Sequence, residues 1–341
     1  MHRIAIVGLG MAHAPHLASL RDLADRVDIA ACYAPSAGRR AAFAAANPDL
    51  PVTGDLDAIL SDPTIGLMLL LTPPRTHLDL VERCAAAGKH VLLEKPVEVD
   101  LARSVRAVAA MEAADRRFAI MLQHRFRPTS LKVAQMLETG AFGALISASA
   151  SIRWWRPPDY YAQPGRGTRA RDGGGVLLTQ AIHTLDLFLS LTGPVARVAA
   201  ITGTSPLRAI DTEDIAAAAV QFANGAIGTI DATTVAYPGF PERIDLACET
   251  ATVVIAADAL DIYWKDGRHI HVDGAQGGGG GADPMAFSHA AHRALIADFL
   301  DAVETGRAPQ ASGRSALAVQ ALIDAILASS VEGRPIALAP G

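Results

Sequence analysis

Two hydrophobic rhythms divide the chain. Up to about residue 123, short unbroken apolar runs alternate with longer segments patterned at helical spacing. RIAIVG (3–8), VDIAACY (27–33), IGLMLLLT (65–72), KHVLLE (89–94) and FAIMLQ (118–123) read as strands covered on both faces, because a strand with one wet face alternates instead. Helical patterns fall near 12–24, 37–46, 75–87 and 101–115, the last opening on Asp100 as N-cap. Strict alternation of the two predicts an α/β fold, with a Rossmann-type doubly wound parallel sheet over residues 1–123.

After residue 123 the rhythm changes. A helix near 128–139 leads into the alternating run ALISASASIRWW (144–155), and a second helix follows at 174–191. Strands are expected near 195–203, 213–222, 226–236, 242–248, 251–257, 259–264 and 268–272, then helices near 286–305 and 315–330. Asn224-Gly225 and Asp266-Gly267 are hairpin dipeptides, since type I′ turns need positive φ at both central positions. Residues 124–341 are therefore expected to form an α+β domain with a largely antiparallel open sheet, serving substrate binding and oligomerisation. GAQGGGGGAD (274–283) reads as a flexible loop within it. Sheets with one uncovered face often pair, so a homodimer or homotetramer is expected.

Composition narrows the function. The 341 residues are 50% hydrophobic and 19% charged, which suits a globular chain long enough for two cores. A net charge of −5 speaks against nucleic acid as a partner, because phosphate backbones select basic faces. The start of the chain lacks the long apolar region of a signal peptide, and no apolar run reaches bilayer length. A cytoplasmic protein without membrane attachment is expected. Cys32, Cys84 and Cys248 are odd in number and far apart, which fits reduced thiols and not a disulfide framework.

Candidate chemistry gathers where strands end. Gly8 and Gly10 follow the first strand and open a helix, so Gly8, Gly10, Met11 and Ala12 are the candidate pyrophosphate turn of a dinucleotide site. The third fingerprint position is His13. The second strand ends in CYAPSAGRR, without the acidic residue that binds a ribose 2′-hydroxyl. Ser36, Arg39 and Arg40 stand there instead, which tilts NADP(H) or NAD(H) towards NADP(H). Thr72, Pro73 and His77 in TPPRTH, and Glu94 and Lys95 after the next strand, lie at the same edge and are further cofactor candidates. Lys95, at the mouth of an apolar strand, is a candidate proton donor or acceptor.

The whole chain resembles the Gfo/Idh/MocA family of nicotinamide-dependent oxidoreductases. The likeness rests on Gly8–Gly10, Thr72-Pro73-Pro74, Glu94-Lys95-Pro96, QHRFRP (123–128), the GGG…H helix and ADFLDAVETGRAP (297–309). It implies a catalytic or substrate-orienting Lys95 and action on hydroxyls of sugars, cyclitols, nucleotide sugars or related diols. The family often carries Asp-x-x-x-His on the second-domain helix, where this chain has Thr179 and His183.

Positions 176, 179, 183, 186 and 190 share one face of that helix and bear no Lys, Glu or Arg. Short polar side chains suit a cleft wall, so His183 is placed with Lys95 as an acid/base pair and Asp186 as a possible orienting partner. Arg125, Trp155, Tyr161, Arg166, Thr179 and Gln180 complete the expected substrate site, the aromatics stacking and the arginines pairing with an anion. That loop also suits an aromatic dihydrodiol or dihydroxy-carboxylate dehydrogenase. The missing aspartate and altered third glycine leave a catalytically silent nucleotide-binding sensor or scaffold as the rival class. The histidines at 269, 271, 289 and 292 have no acidic or cysteine partner at zinc-like spacing, so no metal is expected.

Overall fold

The apolar runs of the first half become β1 (His2–Val7), β2 (Val27–Tyr33), β3 (Val52–Thr53), β4 (Leu67–Leu70), β5 (His90–Leu93) and β6 (Phe118–Ile120). In the computed structural model, which describes residues 1–274 and 288–339, they lie in the order β3-β2-β1-β4-β5-β6, every pair parallel. Leu67 to Leu70 and Val91 to Leu93 are at most 1% exposed. Unbroken apolar runs are what such doubly covered strands require, and each such side chain adds about 1.5–3 kcal/mol on burial. Strand order reverses between β1 and β4, the switch point where an open sheet leaves a crevice at its carboxyl edge. The sequence reading of this half lacks β3, two residues long, and the helix Leu56–Ser61, capped by Asp55.

The second half gives β7 (Leu145–Arg153), β8 (Val195–Gly203), β9 (Ile215–Phe222), β10 (Ile227–Thr233), β11 (Arg243–Cys248), β12 (Ala251–Ala256), β13 (Ala259–Trp264), β14 (His269–Val272) and β15 (Ile336–Ala337). Their order is β14-β13-β12-β11-β7-β10-β9-β8-β15, antiparallel except for the β7–β10 pair. Gly225 and Gly267 take φ of +89° and +91° in the two expected hairpins. β9 alternates exposed and buried along its whole length, so one face of this sheet is open.

The chain divides into two compact units, Met1–Gln123 with His289–Leu317, and His124–Ser288 with Ala318–Gly341. The helix Ala290–Thr305, grouped with the second half by the sequence pattern, packs instead on the helix His13–Asp22 of the first unit. The glycine-rich loop expected at 274–283 lies, Gly274 apart, outside the described residues. Two described helical stretches, Arg169–Thr192 and Gly313–Glu332, are long and apolar enough to cross a membrane, but the first is 83% buried inside the fold and the second 44%. Cys32, Cys84 and Cys248 are unpaired and buried. Burial pushes the first two thiols up to about 12, which leaves them inert.

His90 at the start of β5 accepts the Arg117 backbone N–H at Nδ1, 2.8 Å away. Burial, and then the charges of Arg116 and Arg117, hold its pKa down at about 4. The unfolded chain, with a histidine near pH 6.5, therefore binds the proton first. The contribution of neutral His90 is complete above pH 6.5 and is lost as the pH falls towards about 4, by at most ~1.4 kcal/mol per pH unit. Melting curves across that window should show a shallower acid loss in His90→Gln than in the parent.

Candidate functional site

In the first unit, the turn after β1 has two glycines with different reasons to be there. Gly8 has φ +108°, and a Cβ on it would lie 2.7 Å from the Leu71 carbonyl carbon and oxygen, so the fold itself demands glycine. A Cβ on Gly10 would meet nothing within 4 Å. The fold makes no such demand there, and glycine instead leaves the backbone open to close approach by a ligand. The helix His13–Asp22 begins at Ala12 without a side-chain cap; the His13 N–H is taken by Gly10 O at 3.2 Å, and the positive end of the helix dipole lies at this turn. A dinucleotide pyrophosphate fits this turn. His13, in the third fingerprint position, bonds Gly10 O through Nδ1 at 2.5 Å and packs edge-on against Phe43, 5.1 Å between rings.

The lean towards NADP(H) loses its support. Ser36 Oγ accepts the Arg39 N–H and caps the helix Ala37–Ala46. Arg40 Nη1 donates to the carbonyls of Ala34 and Pro35 at 2.7 and 2.9 Å. Serine and guanidinium thus close their own turn.

His77 is not a cofactor contact but a buried tie. It is 0% exposed, with Nε2 2.8 Å from Thr72 O and Nδ1 2.9 Å from Pro96 O. Burial pushes its pKa down against the opposing pull of these carbonyls. It joins the ends of β4 and β5, which fixes Thr72 and Lys95 along one edge. Glu98, missed in the sequence, fixes the same loop. Its buried carboxylate accepts the N–H groups of Leu78 and Val99 and pairs with Arg103 at 2.8 Å. The Glu94 carboxylate takes His16 Nε2–H at 2.6 Å and the Lys95 backbone N–H at 3.1 Å. Burial opposes its ionisation, but the His16 bond and the charges of His16, Lys95 and His292 hold it at about 2.

In the second unit, the expected helix opens with a π turn, Leu177–Ala181, and continues as Ile182–Thr192. Glu213 seats its N-terminus, accepting Leu177 N–H at its carboxylate and Val176 N–H at its carbonyl. A carboxylate suits the positive helix end. A Cβ on Gly175 would fall 1.9 Å from Glu213 O. Gly175→Ala should therefore cost at least about 1–3 kcal/mol by overpacking, read as a lower denaturation midpoint.

Across 174–189 every residue is buried except Thr179 and His183, which are partly exposed. An ordinary amphipathic helix would expose a whole stripe. The Asp186 carboxylate does not orient His183. It is 1% exposed and holds Arg125 in a bidentate pair, Nε–Oδ2 2.6 Å and Nη2–Oδ1 2.5 Å. Burial would lower the Arg125 pKa, but Asp186 outweighs it and holds it above the ordinary value. Arg125 is thus a packing partner of the helix and not an anion reader. Beside His183 stands His124, ring centroids 5.1 Å apart, and the Arg127 guanidinium donates to His124 Nε2 at 2.8 Å. Both neighbours lie in QHRFRP, the signal from which they could have been found.

The aromatic and arginine loop braces itself. Arg166 pairs with Asp172 at 3.1 Å and lies over the Tyr160 ring at 4.9 Å. Arg208 pairs with Asp214 and lies 4.4 Å from the Tyr161 ring, whose hydroxyl meets Thr234 Oγ1. Gln180 Nε2 donates to the Tyr160 hydroxyl at 3.2 Å. Thr179 Oγ1 donates to Gly175 O at 2.6 Å. The tight cavity among Tyr160, Arg166, Asp172, Thr179 and Glu213 has about 10 Å³ of free space, room for a water molecule and not for a sugar. Trp155, half-buried, meets Tyr237 edge-on. Lys95 therefore stands in the first unit, and Thr179 and His183 emerge in the second.

The profile described as "Oxidoreductase family, NAD-binding Rossmann fold" matches residues 2–122, and that of the "GFO/IDH/MocA C-terminal domain" matches 130–254. The chain is 28% identical to D-apiose dehydrogenase of Paraburkholderia graminis, over 98% of this chain and 89% of that one. It is 26% identical to inositol 2-dehydrogenase of Rhizobium meliloti, over 83% and 84%. It superposes on the WlbA dehydrogenase of Bordetella pertussis, solved with NADH and UDP-GlcNAcA, with TM-score 0.85 and 28% identity over 99% and 98% of the two chains. An NAD-binding parallel sheet, the matched second domain and dehydrogenase relatives converge: the chain belongs to the Gfo/Idh/MocA family and is an NAD-binding oxidoreductase.

Proposed function

We propose that the protein transfers a hydride between NAD(H) and a secondary alcohol or ketone of a neutral sugar, cyclitol or related diol, with Lys95 and His183 as the acid/base pair. The observation that carries this is the helix on which Thr179 and His183 alone emerge from a buried stretch of sixteen positions, 174–189. The relatives named for apiose and inositol support a polyol substrate. When bound, the nicotinamide ring accepts or gives the hydride. Lys95 donates a hydrogen bond to the reacting oxygen, and Lys95 and His183 exchange its proton. Thr179, in place of a carboxylate, adds no charge beside His183.

Neutrality of the substrate follows from the arginines. Arg125, Arg166 and Arg208 are already paired with Asp186, Asp172 and Asp214. A substrate carboxylate would have to displace one of these carboxylates, which weighs against the dihydroxy-carboxylate reading. NAD(H) is preferred because Ser36 and Arg40 serve their own turn. We place the protein in the cytoplasm, as a homodimer or homotetramer formed through the open sheet face. Steady-state NADH formation over matched neutral and carboxylated polyols tests the reading. A kcat/KM at least about tenfold higher for neutral substrates, equivalent to ~1.4 kcal/mol, is expected. Preference for the carboxylated set, or binding of NAD⁺ without turnover on any, would overturn it.

A further inference from the structure

We propose that His16, Glu94 and His292 form a binding site for one divalent transition-metal ion of the zinc class inside the first unit. The three residues come from separate elements, the helix His13–Asp22, the end of β5 and the helix Ala290–Thr305. One donor atom from each, an imidazole nitrogen or a carboxylate oxygen, lies within 4.8 Å of the other two. His16 and His292 are 0% and 3% exposed, and their rings stand 5.3 Å apart at 89°. His16 Nδ1 is buried without a hydrogen-bond partner, so of its two ring nitrogens only Nε2, facing Glu94, is used within the fold.

The donor chemistry selects the ion. Two imidazoles and one carboxylate suit zinc, cobalt or iron(II), whereas calcium and magnesium want about six oxygens. Glu94 uses Oε2 for the Lys95 N–H, which leaves Oε1, the atom facing His16, for the ion. Zinc-like bonds of about 2.0–2.1 Å place tetrahedral donors roughly 3.4 Å apart. The His16–Glu94 contact at 2.6 Å therefore opens slightly and the wider separations close. The ion takes the place of the proton that His16 Nε2 shares with Glu94, and that proton passes to solvent. A water completes the fourth position. The ion would staple the two packed helices to the strand end that carries Lys95.

The test uses the full chain, stripped with a chelator and titrated with cobalt(II) chloride, followed by visible absorption and equilibrium dialysis. One equivalent with tetrahedral d–d bands is expected, with release of about one proton. His292→Ala and the bulkier His292→Gln should each weaken uptake by more than about 100-fold, beyond the loss typical of an outer-shell partner. His271→Ala, in the exposed His269–Asp261–His271 group, should leave it unchanged. A parent protein that takes up no cobalt overturns the proposal, whatever the variants do. So does uptake that survives both His292 substitutions and is lost in His271→Ala.

Discussion

Lys95→Ala is expected to retain NADH binding and to lose kcat by about 10²–10⁴-fold, the range for removing a general acid or base. The two effects separate because different parts of the first unit carry them. In the proposed reading, cofactor binding falls to the Gly8–Gly10 turn and the uncapped start of the helix His13–Asp22. Lys95 follows β5, on a loop tied by His77 and Glu98. Truncating it leaves those ties intact, so the fold and the dissociation constant for NADH should change little. Fluorescence titration of NADH and steady-state turnover check the two halves. An unchanged kcat would remove Lys95 from the chemistry.

Asp186→Ala should destabilise the second unit by about 3–5 kcal/mol, because it strands the Arg125 guanidinium without its partner in the interior. The pair is bidentate, and Asp186 is 1% exposed. Replacing both members with apolar residues, as in Arg125→Met with Asp186→Leu, should recover most of the loss, since a buried pair is held largely against its own desolvation. Chemical denaturation of the single and double variants measures this. A single variant as stable as the parent would show that the pair is solvated and does not position the helix.

The parallel sheet was legible because strands buried on both faces leave unbroken apolar runs, and the hairpins because positive φ selects glycine. β3 left no such trace at two residues long. The π turn at 177–181 was hidden because its residues are as apolar as those of the α-helix that continues it. The roles proposed for Lys95 and His183 come from their local setting, one at a strand mouth and one on a face without long charges. Arg125, Arg166 and His77 were assigned to ligands because their partners, Asp186, Asp172 and the Thr72 and Pro96 carbonyls, are a matter of tertiary contact. Arg125 and Asp186 are 61 positions apart, and His16 and Glu94 are 78 apart. No periodicity or motif spacing reports on pairs of that separation.

The claim that Lys95 and His183 act on one substrate oxygen is tested most directly by a double-mutant cycle on kcat with Lys95→Ala, His183→Asn and their combination. Groups that work as a unit are strongly non-additive. The combined variant should therefore be about as slow as the slower single variant. Losses that multiply, or a His183→Asn enzyme as fast as the parent, would contradict the shared role.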